Sequence, residues 1–123
     1  MSKTGNKQFG VWMDNHKASI AGRESNNEQF EFLGDESNAG AMSNSNEKSE
    51  QNDKKTLQHK FFKSILAHMP NAEMIHLTGT GTAQEQFKHY LEETPQFKGT
   101  KVKDSTSEPM SEEKLLEFFN SNF

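Results

Sequence analysis

The first apolar stretch of the chain is hydrophobic on both of its sides. In "QFGVWMD" (8–14), Phe9, Val11 and Met13 fall on one side and Trp12 on the other, as in a central strand covered by helices above and below. "NHK" (15–17) turns the chain and "ASIAG" (18–22) returns as a second strand. "EQFEFLG" (28–34) alternates, with Phe30 and Phe32 on one side and Gln29, Glu31 and Leu33 on the other. Strands with such tight connections predict an antiparallel meander. The rhythm then lapses over "DESNAGAMSNSNEKSEQND" (35–53), where Met42 is the one large apolar residue. So little apolar surface does not offset the entropy of ordering, and a flexible loop is expected over 35–53. From about 53 to 69 the period becomes helical, bringing Leu57, Phe61, Ile65, Leu66 and Met69 to one face before Pro70 stops it.

The second half alternates strand and helix. "AEMIHLT" (72–78) reads as a buried strand, and "TAQEQFKHYLEE" (82–93) as a helix burying Ala83, Phe87, Tyr90 and Leu91. "GTKVKDS" (99–105) is a strand at or near an edge, Val102 inward and its lysines outward. "SEEKLLEFFNSNF" (111–123) is a closing helix with Leu115, Leu116 and Phe119 inward. Ser111 is placed as its N-cap, with Glu112 and Glu113 favouring the first turn. The order β-β-β-α-β-α-β-α predicts an α/β fold: one three-layer domain over 1–123 with a mixed five-stranded sheet and helices on both faces. Its later crossovers should be right-handed and parallel to the first strand. That is a ribonuclease-H-like layout.

Composition narrows the function classes. The length suits a single core, and although only 30% of residues are apolar, ten phenylalanines supply much of the area to be buried. The net charge of −4 argues against strong non-specific binding to nucleic-acid backbones, and no DNA partner is expected. A local basic face remains compatible with it. The absence of cysteine excludes disulfides, zinc–thiolate sites and thiol nucleophiles. "MSKTGNKQFG" has no apolar core of a secretory signal, and no window approaches the ~18 apolar residues of a membrane span. A cytoplasmic protein without membrane contact is expected.

Three groups of residues carry candidate chemistry. Gly79, Thr80, Gly81 and Thr82 join a strand to a helix, as phosphate cradles do. The spacing is neither that of a dinucleotide site, whose third glycine would replace Gln84, nor that of a P-loop, which needs a lysine followed by serine or threonine. Thr82 and Glu85 have the spacing of a capping box that would satisfy the helix's own N–H groups, so the expectation is a structural turn with at most weak anion binding. Asp14 and Asp104 end two strands and are the plausible pair of acids for a metal-dependent nuclease, the least favoured reading because two-metal chemistry needs converging carboxylates. The five histidines show no metal spacing, and no metal or cofactor is expected. His76, inside a buried strand, reads as a hydrogen-bonded core residue. Lys54, Lys55, His59, Lys60 and Lys63 give the first helix a basic side, which is either a solvated face or an RNA-contacting patch. No serine has a nucleophile-elbow context.

The runs "FGVWMDNHKASIAG", "MIHLTGTGTAQEQFKHYLEE" and "VKDSTSEPMSEEKLLEFF" resemble small bacterial proteins related to the middle domain of eukaryotic and archaeal peptide-chain release factor. The family's VWID-H-K-A opening corresponds to Val11–Asp14 with His16, Lys17 and Ala18. Its GPG-x-A turn corresponds to Gly79 to Ala83, and its T-x-D-K-M-[ST] stretch to Asp104 to Ser111. The resemblance spans nearly the whole chain and implies a ribonuclease-H-like component of the translation machinery. In release factors the loop before the first helix carries a Gly-Gly-Gln that enters the peptidyl-transferase centre. Here that loop has only Gly34 and Gly40, and no glycine pair precedes Gln51, so no catalytic residue carries over. The expected function is a non-enzymatic ribosome- or RNA-binding module. The alternative is a protein-interaction domain, a homodimer through the exposed 98–104 strand.

Overall fold

The computed structural model describes residues 7–24, 28–38, 51–70 and 72–121, with only the helical course given for 51–56. Three strands open the fold: β1 (Lys7–Met13), β2 (Lys17–Arg23) and β3 (Glu31–Ser37). α1 (Gln51–Leu66), β4 (Ala72–Gly79), α2 (Ala83–Glu92), a 3-10 turn (Pro95–Phe97), β5 (Lys101–Asp104) and α3 (Glu112–Ser121) follow. The five strands form one sheet in the order β3-β2-β1-β4-β5. The β1–β2 and β2–β3 pairs are antiparallel, while β1–β4 and β4–β5 are parallel. The expected mixed sheet and ribonuclease-H-like layout are therefore present.

Alternation along β1 divides the core. Phe9, Val11 and Met13 project to one side and join Phe61, Phe62 and Ile65 of α1 with Ala83, Phe87 and Leu91 of α2. Trp12 projects to the other, joining Ala21, Phe30, Leu115 and Phe119 under α3. A strand whose two faces are both covered must be apolar on both, which is why β1 departs from simple polar–apolar alternation.

Boundaries differ from the sequence-based expectation where neighbouring strands set them. β3 runs three residues further than expected, to Ser37, because Lys17, Ala18 and Ser19 of β2 pair with Ser37, Glu36 and Asp35. Phe30 precedes β3 and is buried beside α3, whereas Phe32 is only half-buried. α1 begins at Gln51 and ends at Leu66. Residues 35–37 and 51–53, expected in the loop, thus belong to a strand and a helix, and 39–50 lie outside the described residues. Phe62 joins the core in place of the half-buried Leu66, and Tyr90 is half-buried.

Candidate functional site

The Gly79–Thr82 turn is built by contact between parallel strands. Gly79 pairs with Met13 at the end of β1. A Cβ on Gly79 would sit 1.9 Å from the Met13 carbonyl oxygen, and its φ of +143° is itself unfavourable for other residues. The Thr80 N–H donates to that Met13 carbonyl at 3.2 Å, and the Gly79 carbonyl accepts from Ser107 N–H at 3.1 Å. Gly81 has φ +88°, and a Cβ there would meet Asn15 Oδ1 at an ordinary 3.8 Å. The expected capping box is absent: Thr82 is in the helical region and makes no side-chain cap bond. A serine or threonine cap needs extended geometry to turn its oxygen back onto the N–H groups, and Thr82 does not adopt it. Close strand approach and positive φ account for both glycines without a ligand.

Asp14 and Asp104 are not brought together. Asp14 follows Met13, which faces Gly79, while Asp104 faces Leu77 from the opposite side of β4. With β4 between them their backbones lie about 10 Å apart across the sheet, from a strand spacing of ~4.8 Å, and are further offset along it. Paired catalytic metals sit ~4 Å from each other. Each carboxylate has another role. Asp14 Oδ1 accepts from His16 N–H at 2.8 Å and Lys17 N–H at 2.9 Å, closing the β1–β2 turn. Asp104 lies 3.7 Å from the Lys88 ammonium. Among the described residues no group of three or more histidines and acids could hold a metal ion.

The sequence did not disclose a polar network on the α3 side of the sheet. His76 Nε2 is 2.8 Å from Ser105 Oγ, which donates to Thr78 Oγ1 at 3.0 Å. Thr78 Oγ1 is 2.7 Å from Ser107 Oγ. Trp12 Nε1 donates to the Ser107 carbonyl at 3.2 Å. A histidine beside a serine invites a hydrolase reading, but the serine's proton is directed at Thr78. No Ser105 proton is therefore directed at the imidazole, as activation of a nucleophilic serine requires. His76 is 2% exposed and packs against Phe118 and Phe119 at ring distances of 5.5 and 5.6 Å. The network fastens the segment after β5 to β4. Period-two spacing puts His76 and Thr78 on one face of β4; their serine partners come from 27 or more positions away and leave no local signal.

The basic side of α1 remains. His59, Lys60 and Lys63 are all exposed. Lys54 and Lys55 lie in its first turns, their side chains outside the described residues. Neither Lys60 nor Lys63 has an ion-pair partner among the described residues. The His59 ring lies 5.7 Å from that of Tyr90 on α2, and Gln58 donates to Gln86 across the same helix pair at 2.8 Å. On the far edge of the sheet, β5 exposes Lys101 and Lys103, the kind of charge that discourages edge-to-edge pairing.

Comparison with solved structures identifies this architecture elsewhere. The Pelota protein of Thermoplasma acidophilum superposes with a TM-score of 0.62 at 18% identity, over 95% of this chain and 33% of that one. Pelota of Archaeoglobus fulgidus gives 0.60 at 12% identity, over 96% and 32%. An archaeal translation termination factor gives 0.54 at 13% identity, over 97% and 35%. The likeness is one of fold. This chain spans about a third of the length of each of those structures. No protein-family model and no curated protein matches the sequence. Among the described residues no helix is long and apolar enough to cross a membrane.

Proposed function

We propose that this domain is a non-enzymatic, translation-associated binding module that contacts the ribosome or RNA in the cytoplasm through the exposed basic side of α1. The observation that carries the reading is the fold held in common with a segment of an archaeal translation termination factor, over 97% of this chain. Peptide release is not part of the proposal, because the 34–53 stretch has no Gly-Gly-Gln. Lys60 and Lys63 are suited to the contact because each is exposed without an ion-pair partner among the described residues, so binding a phosphate breaks no existing pair. Sedimentation of native lysates tests it. The protein should travel with a ribosomal fraction, and K60E combined with K63E should release it. A protein absent from every ribosomal fraction, in growing and starved cells alike, defeats the reading.

A further inference from the structure

Beside the basic side of α1 runs an open groove of about 270 Å³, lined by Lys63, Leu66, Ala67, Tyr90, Thr94 and Gln96. Its volume falls just below the roughly 300–1,000 Å³ of small-molecule pockets, and it is a trough rather than an enclosure. Rings lead from the core to its rim. Tyr90 lies 5.3 Å from Phe62 and 6.5 Å from Phe87 on its inner side, and 5.7 Å from His59, with planes 33° apart, on its outer side. Phe62 and Phe87 are buried, Tyr90 half-buried and His59 exposed. Lys63 stands four residues after His59 on the same helical ridge, and Lys60 is its i−3 neighbour.

We propose that this groove receives an unpaired base of single-stranded RNA beside Tyr90, with the neighbouring base stacked on the exposed His59 ring, which lies just outside the lining one helical turn from Lys63, and the adjoining phosphates on Lys60 and Lys63. The inference rests on the RNA reading above and deepens it by naming the form of RNA. Lysines alone would suit any polyanion, and a duplex presents its phosphates while hiding its base faces. An exposed ring rooted in the core by further rings offers a π-face that only an unpaired base exploits. The charge is complementary as well. Among the described residues no carboxylate lines the groove, and of the acids at the end of α2, Glu92 is 3.7 Å from His89. The Gln96 side chain supplies both a donor and an acceptor for a base edge. The Thr94 hydroxyl is already committed to the Tyr90 carbonyl at 2.7 Å.

Fluorescence anisotropy of the full chain with a labelled oligouridine, and with an RNA duplex of the same strand length at one fixed salt concentration, tests the proposal. The wild type should bind the single strand more tightly. H59A, at an exposed position, and Y90L should each weaken that binding by roughly 5- to 100-fold, the range of base–aromatic stacking. Y90F, which keeps the ring, should bind as the wild type does. K60Q with K63Q should weaken both RNAs, and in a salt titration should lower the single-strand slope by ~0.7 for each phosphate no longer neutralised. Equal affinity for both RNAs, with H59A unchanged, overturns stacking while leaving the basic contact standing. Polyglutamate binding as tightly as oligouridine overturns it in favour of charge alone. If neither RNA binds, the RNA reading fails with it, and co-sedimentation with ribosomes separately decides whether a protein contact is used.

Discussion

Glycines mark the positions where backbones in this molecule come closest. A Cβ at Gly10 would stand 2.5 Å from the Phe119 ring, so α3 rests directly on β1. Gly79 has both a backbone oxygen at 1.9 Å and a positive φ, whereas Gly81 has a φ of +88° with its nearest neighbour at 3.8 Å. These environments rank three substitutions. Gly10→Ala should cost about 1–3 kcal/mol by overpacking against a ring that can shift. Gly81→Ala should cost about 1–2 kcal/mol from backbone conformation alone. Gly79→Ala should be the most damaging of the three, because rigid backbone rather than a side chain must move. Urea unfolding midpoints would check this, and a Gly79→Ala variant as stable as Gly81→Ala would contradict the close approach of β1 and β4.

The two helices that begin after a serine or threonine start in different ways. Ser111 Oγ accepts from the Lys114 N–H at 3.2 Å, as a capping residue does. Thr82 makes no such bond, although its spacing to Glu85 reads as a capping box. Its carbonyl accepts from Gln86 N–H at 3.0 Å, so the helical hydrogen-bond ladder is entered through the backbone alone. Gln84 instead donates to the carbonyls of Leu77 and Ser105, at 3.3 and 2.6 Å, tying α2 to β4 and to the segment that follows β5. Ser111→Ala should therefore cost about 1 kcal/mol, and Thr82→Ala should stay within about 0.5 kcal/mol. Thermal melts of the two variants would tell them apart, and a Thr82→Ala loss matching that of Ser111→Ala would restore the capping box.

Across the molecule, protection should follow depth in the sheet. β1 is paired on both sides and its residues from Phe9 to Met13 are buried, and β4 is buried from Ile75 to Gly79. β3 and β5 are the edges, with exposed residues along each. Hydrogen exchange is expected to be slowest in β1 and β4 and fastest in β5 and β3. Uniform protection of all five strands would indicate that the edges are covered by a further partner in solution. Such a result would favour the protein-interaction alternative over free edges guarded by Lys101 and Lys103.

Periodicity along the chain was enough to order the elements, to make β1 central and to bring Phe87, Leu115 and Phe119 into the core. Those features follow from which side chains leave water, a property of spacing within a few residues. The exposure of His59, Lys60 and Lys63 on α1 was legible for the same reason, since a helix face is fixed by its own repeat. The limits of β3, the separation of Asp14 from Asp104, the union of His76 with Ser105 and the groove between Lys63 and Tyr90 were not legible. Each depends on which strand or helix lies alongside another, and hydrogen-bond register and interhelical packing join residues far apart in sequence. The Thr82 cap was not legible either: local spacing proposes it, but Thr82 takes φ −87° and ψ −15°, in the helical region, where its side chain makes no cap bond.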